Sequence, residues 1–264
     1  MSPIERSSDI VDAAILMGTR LLEFRCQTMV NVSRLQIRAI FLDLDDTLIN
    51  MKRASHFAFN DTLTRHGLRP ISYREMLANW DTSWRAVVTN LVPDNMDVDK
   101  LMTEIGKEYF ETFFKIHLEH STLMPGAVTT LQTLRTMKLL TAIVSRRRHR
   151  VINEELDKFQ LSSYFDTIVG REDVAQLKPS PNALTLAAER LTIPIEQCLM
   201  IGDSPNDVKA GKAAGTKTVA VLTGPYAVET ILIEKPDVVV DSILDLVTVL
   251  IRDFECVAPN DLKG

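Results

Sequence analysis

The chain is poor in cysteine: Cys26, Cys198 and Cys256 are its three, widely separated, with no CxxC pair and no Cys/His cluster. That spacing excludes a thiolate zinc site and a disulfide framework, and it fits a reducing, cytoplasmic setting. No run reaches the roughly 18 apolar residues that a membrane span requires, so no membrane partner is expected. Excess positive charge is missing too. With 30 basic against 35 acidic residues the net charge is -5. Nothing global attracts nucleic acid, and an anionic ligand has to be held by local positive charge or by metal. Neither an internal repeat nor a low-complexity tract is visible. The segment DIVDAAILMGTRLLEF carries Asp9, Asp12, Arg20 and Glu23 around a short apolar run, which is wrong for a signal peptide and too acidic for a transit peptide. Residues 1–34 read instead as an amphipathic helical extension.

What is present is an alternation. IRAIFLD, LLTAIVS, FDTIVG, CLMIGD, KTVAVLT and PDVVVD read as strands, being short, apolar and β-branched. Between or after them VTTLQTLRTM, RVINEELDKF, SPNALTLAAERL, NDVKAGKAAG and ILDLVTVLIRDF carry helical spacing. Such alternation predicts an α/β fold: a Rossmann-like, mainly parallel sheet with helices on both faces. The pattern is interrupted after the first strand. From Asn50 to Leu123 the apolar positions recur only at helical spacing, as in HFAFNDTLTRHGL and VDKLMTEIGKEYFETFFKIHL. The expected division is therefore a core of residues 35–50 and 124–264 with a helical insertion over 51–123.

The first strand ends in an unusual way. IFLDLDDTLIN places Asp43, Asp45 and Asp46 at the end of an apolar run, where two like charges 4 Å apart repel by about 4 kcal/mol at an effective dielectric near 20. Ligands of an open parallel sheet bind beyond the carboxyl ends of its strands. Other strands end at Ser145 and at Asp203 and Asp207, while Lys178 precedes a helix in QLKPSPN. A divalent cation, Mg²⁺ by its preference for oxygen ligands, would offset the carboxylate repulsion by taking oxygen ligands from Asp43 and Asp203. Lys178 would add positive charge, and Ser145 would donate a hydrogen bond to a phosphate oxygen. A carboxylate can also serve as a nucleophile, and a second one two residues on as general acid and base.

Four groups in chain order then carry a resemblance. Asp43, Asp45 and Thr47 form DxDxT; Ser145 ends a strand; Lys178 precedes a Pro-x-Pro; and Gly202, Asp203 and Asp207 form GDxxxD. Over Ile37 to about Leu250 the chain resembles the haloacid dehalogenase-like hydrolases. The stretches IVGREDVAQLKPSPNAL and IGDSPNDVKAGKAAGTKTVAV look most like the phosphoglycolate phosphatases and related pyrophosphatases. The resemblance implies Asp43 as nucleophile, and Asp45 as acid/base that also lends a backbone carbonyl to Mg²⁺. It implies Asp203 and Asp207 at the metal, Lys178 in catalysis, and Thr47, Ser145 and Arg146 at the phosphate. It further implies that residues 51–123 are a cap and that the substrate is a small phosphorylated metabolite, with phosphoglycolate favoured. A phosphosugar mutase, a pyrophosphatase and a non-enzymatic scaffold on the same fold are the alternatives. Two positions depart from the family pattern: Asp46 stands where glycine is common, and Arg146 where asparagine is common.

Three further features invite sharper readings than they support. RRRHR at 146–150 is read as a solvated helix start rather than a nucleic-acid site, since no aromatic platform flanks it; Arg146 or Arg147 is left as a contact for an anionic substrate. His117 and His120 lie three apart but have no further ligand in view, so a surface helix is expected. Trp80, Trp84 and the phenylalanines near Phe110 are expected to fill the insertion's own core.

Overall fold

The apolar runs become strands because each is short, β-branched and bounded by turn-forming residues, and a parallel sheet buries such runs on both faces. In the computed structural model, which describes residues 36–79, 84–92 and 97–258, six of them form one sheet. They are β2 (Ala39–Leu42), β5 (Leu140–Val144), β6 (Thr167–Val169), β7 (Cys198–Gly202), β8 (Lys217–Val221) and β9 (Val238–Val240). The sheet order is β6-β5-β2-β7-β8-β9, and every pairing in it is parallel.

The helices are α1 (Lys52–Arg65), α2 (Tyr73–Ala78), α3 (Trp84–Thr89), α4 (Val98–His120), α5 (Ala127–Thr136), α6 (His149–Lys158), α7 (Asn182–Leu191), α8 (Pro205–Ala214), α9 (Val228–Ile233) and α10 (Leu246–Asp253). Alternation along β2 sends Ile40 and Leu42 into one apolar cluster with Leu131 and Leu250. Ala39 and Phe41 enter another, with Leu184 and Ala187. Both faces of the sheet are therefore covered, as the alternation predicted. Among the described residues no helix is long and apolar enough to cross a membrane.

Register places the functional end of the sheet. Leu42 lies opposite Ile143 on one side and Ile201 on the other. Asp43 therefore leaves β2 level with Val144 and Gly202, and three strand-end loops open at one height.

The helical insertion, α1 to α4, has its own apolar cluster, with Phe59, Leu63, Met76, Val88 and Ile105 among its members. Phe113 of α4 belongs instead to the main core, which roots the insertion in the sheet domain. Phe110 is exposed, so the expectation that the phenylalanines there fill the insertion's own core is corrected for both. His117 is buried rather than on the surface, with its ring stacked on Phe113. His120 stacks on Phe57 at 4.1 Å.

Two short pairings escaped the sequence reading. β3 (Ile49–Asn50) pairs antiparallel with β4 (Thr122–Leu123) at the two ends of the insertion, and β1 (Gln36–Ile37) pairs with β10 (Glu255–Cys256). Strands of two residues have no period to detect. The expected N-terminal helix, Trp80 and the side chain of Trp84 lie outside what is described.

Candidate active site

The loops that follow β2, β5 and β7 meet with Lys178 around a crevice of about 130 Å³, lined by Asp43, Asp45, Ser145, Arg146, Lys178, Asp203 and Asp207 among others. Lys178 is its centre. The buried ammonium donates to Asp43 Oδ1 at 2.6 Å, to Asp207 Oδ1 at 2.5 Å and to the Val144 carbonyl at 2.8 Å. Burial opposes its charge, yet Asp207 and Asp43 together hold it above the ordinary lysine range. It is a fixed cation. Asp43 is held from behind as well, its backbone N–H donating to the Ile201 carbonyl at 2.9 Å.

Asp203 and Asp207 arrive from the loop between β7 and α8. Asp207 sits in the first turn of α8, where it completes a capping box with Ser204. Its Oδ2 accepts from the Ser204 amide at 3.1 Å and from its hydroxyl at 2.6 Å. The backbone must come very close for this. A Cβ on Gly202 would lie 2.3 Å from the Asp207 carboxyl carbon, and one on Gly224 would lie 2.1 Å from an Asp203 oxygen. Gly202 belongs to a recognised motif. Gly224 does not, and only the close approach of two distant loops identifies it.

One ligand atom from each of Asp43, Asp203 and Asp207 falls within 4.8 Å of the others, and all three side chains are buried. Burial lifts the Asp43 carboxyl to about 7 against the opposing pull of Lys178. Burial, reinforced by Asp43 and Asp207, pushes Asp203 well above the usual carboxylate range. Among the described residues the Asp203 carboxyl is hydrogen-bonded only by the Thr47 hydroxyl, at 3.4 Å. Three carboxylates thus share one ammonium, an imbalance that a divalent cation would correct. The all-oxygen donor set fits a hard ion.

Asp45 points elsewhere. Its Oδ2 accepts from Arg147 Nε at 2.6 Å, while its Oδ1 is buried with no partner among the described residues. Arg147 in turn lies with its guanidinium carbon 4.3 Å over the Phe113 ring. Arg147 therefore departs from the expected solvated face, whereas Arg150 keeps to it, paired on the surface with Glu154. Arg146 is exposed at the crevice mouth. The Ser145 oxygen accepts from the Arg147 amide at 3.2 Å, and its own hydrogen remains available to a ligand.

Thr47, expected at the phosphate, is fully buried and does not line the crevice; its hydroxyl is turned towards Asp203. Asp46 adopts φ 57°, the left-handed region that favours glycine, which accounts for the glycine usual at this position. Its carboxylate accepts from the Met51 amide at 3.0 Å and faces Lys52 at 3.2 Å. These contacts fix the entry into α1.

A fold with parallel strands, four sequence groups at their carboxyl ends and an acidic crevice between them defines a class of enzyme. The model of the haloacid dehalogenase-like hydrolases matches residues 40–221, and the chain belongs to that family. It is 32% identical over 230 residues to a phosphoglycolate phosphatase of Pseudomonas syringae pv. syringae (strain B728a), with 84% of each chain covered. To a phosphoglycolate phosphatase of Shigella boydii serotype 4 (strain Sb227) it is 28% identical, with 81% of this chain and 92% of that one covered. The solved structure of a haloacid dehalogenase-like family hydrolase from Streptococcus pneumoniae is similar in fold. Its TM-score is 0.69 at 19% identity, over 81% of this chain and 98% of that one.

Proposed function

We propose that the protein is a Mg²⁺-dependent phosphatase that hydrolyses a small phosphorylated metabolite through a phospho-Asp43 intermediate. The observation that carries this reading is the Asp43 carboxylate, held by Lys178 at 2.6 Å in one crevice with Asp45, Asp203 and Asp207. An Asp43 oxygen attacks phosphorus while the bond to the ester oxygen breaks, and Asp45 gives that leaving oxygen its proton. Water then attacks the phosphoryl group, its proton passes to Asp45, and the bond to Asp43 breaks to release phosphate. The unpartnered Oδ1 of Asp45 is an acceptor available for that proton. Lys178 holds Asp43 in line and neutralises charge throughout, and Ser145 donates to a phosphoryl oxygen. Asp43, Asp203 and the Asp45 carbonyl would hold the cation, supported by Asp207; when bound it supplies positive charge to the phosphoryl oxygens.

Phosphoglycolate is the favoured substrate, supported by the names of the relatives and by a crevice small enough for a two-carbon acid. Residues 51–123 act as the cap over a core of residues 35–50 and 124–264. The reading also places the protein in the cytoplasm, in keeping with two free thiols, Cys198 and Cys256. Phosphate release from a panel of phosphorylated metabolites, with Mg²⁺ and with chelator, tests the reading. Turnover should require Mg²⁺ and vanish in Asp43→Asn. Equal release from both proteins would overturn it, and an isomerised sugar phosphate in place of free phosphate would make the enzyme a mutase.

A further inference from the structure

The acidic crevice shares a wall with a larger cavity. This groove, of about 410 Å³, lies between α4 and the loop after β5, and Arg146 and Arg147 line both spaces. Its apolar side is formed by Phe110 and Phe114, whose rings stack with centroids 6.2 Å apart at 27°. Phe110 is 50% exposed, a large aromatic face left in solvent beside a reactive centre. With Phe114 it offers a stacking surface to a flat ligand ring.

The opposite side is cationic. Arg146, Arg148 and Arg171 all face this groove and are exposed, and among the described residues none of the three has an ion-pair partner. Nearby acids are already engaged. Glu111, which lines the groove, faces Lys107 of the same wall at 4.0 Å, and Asp173 pairs with His149 and Arg190. The arginine loop is also anchored, since the Arg171 amide donates to the Arg147 carbonyl at 2.8 Å. A chain of net charge -5 thus concentrates unpaired guanidinium groups opposite an aromatic wall.

We infer that this groove binds the leaving group of a phosphomonoester whose alcohol carries a flat ring and a second phosphate, the chemistry of a nucleoside bisphosphate. The inference rests on the assignment of the crevice to phosphate-ester hydrolysis. With the scissile phosphate at Asp43, the alcohol leaves the crevice past Arg146 and Arg147. Its ring then stacks on Phe110 and Phe114, and its second phosphate meets Arg148 and Arg171, for which guanidinium is the fitting donor. A two-carbon acid ends before this groove begins. The groove therefore gives the same centre a second, larger class of substrate.

The test compares adenosine 3′,5′-bisphosphate, AMP and phosphoglycolate as substrates of the full chain with Mg²⁺. The kcat/KM for the bisphosphate should exceed that for AMP roughly tenfold, the increment a well-placed charge-assisted contact supplies. Arg148→Glu and Arg171→Glu should each lower the bisphosphate value several-fold more than the phosphoglycolate value. Phe110→Ala should lower both nucleotides. A bisphosphate turned over no better than AMP, or variants that affect all three substrates alike, would overturn the inference. Failure of the phosphatase reading looks different: no phosphate is released from any of the three or from a generic aryl phosphate. Calorimetric binding of the bisphosphate then decides for the groove alone. Binding that is lost in Arg148→Glu supports it, and absence of binding overturns it.

Discussion

The molecule buries carboxylates in two places, and it treats them differently. In the crevice, Asp43 and Asp207 share the Lys178 ammonium at 2.6 and 2.5 Å, and the second oxygen of Asp207 is held by Ser204. At the seam where α4 of the insertion meets α6 of the core, Glu155 is fully buried and its Oε2 accepts from the Ser121 hydroxyl at 2.8 Å. Its Oε1 and the neighbouring Nε2 of His117 lie 3.7 Å apart, and neither has a hydrogen-bond partner among the described residues. The crevice gives Asp43 and Asp207 a fixed cation and leaves Asp203 for a bound one. At the seam no comparable cation meets the unpaired oxygen of Glu155. Burial lifts its carboxyl to about 7. The crevice carboxylates are compensated by a buried ammonium, whereas the seam carboxyl keeps one oxygen without a partner.

Lys178→Met should have the largest effect. Removing one partner of a buried charge cluster typically costs about 3–5 kcal/mol, and here it strands Asp43 and Asp207 together. Thermal unfolding of the metal-free variant should show that loss, and phosphate release should fall roughly a thousandfold. Added Mg²⁺ should recover part of the stability and little of the turnover. A variant as stable as the parent without metal would mean that Lys178 is not what compensates the crevice.

Glu155→Gln tests the seam, with an effect of about 3 kcal/mol that depends on pH. The folded-state pKa of Glu155, about 7, lies above its ordinary 4.5. Between those values the folded protein holds a proton that the unfolded chain has released. The contribution is fully present below pH 4.5 and is lost as pH rises through 7. Glutamine keeps the acceptor for Ser121 and cannot ionise, so the variant should be the more stable protein above pH 7. His117 has the opposite sign. Burial lowers its pKa below the ordinary 6.5, so its contribution is lost as pH falls. Denaturant unfolding across pH should therefore show a shallower alkaline limb in Glu155→Gln, Asp43 and Asp203 still contributing to it, and keep the acid one. An unchanged alkaline limb would place the titration elsewhere.

The crevice was legible in the sequence and the seam was not, for a physical reason. Strand-end carboxylates in short fixed spacings reflect local backbone geometry, so Asp43, Asp45, Lys178, Asp203 and Asp207 could be named before their contacts were known. The six sheet strands were legible likewise, from apolar runs that only a doubly covered sheet buries. Contacts between distant segments leave no such spacing. Gly224 reads as an ordinary loop glycine until its approach to Asp203 is seen, and His117 reads as a surface residue until Phe113 and Glu155 close around it. Thr47 was legible as a motif member while its direction, towards Asp203, was not. Arg147 was hidden inside a run of basic residues whose usual meaning is solvation.

Arg147 is also the residue that joins the two regions, so the smallest predicted effect is the most informative about their separation. Its guanidinium binds Asp45 on the crevice side and lies over Phe113 on the seam side, and its charge acts on both Glu155 and His117. Because that charge favours the Glu155 anion, Arg147→Met should move the alkaline limb of stability to higher pH. Arg147→Lys should restore part of the limb, keeping the charge and losing the flat stacking surface. A double-mutant cycle of Arg147→Met with Glu155→Gln reads the coupling directly. Independent sites add within about 0.3–0.5 kcal/mol, and a coupled pair departs by more. Non-additivity at pH 8 that disappears at pH 4, where Glu155 is protonated in folded and unfolded chains alike, would make the coupling electrostatic. Additivity at both would make crevice and seam two separate solutions to the burial of a carboxylate, with Arg147 only touching each.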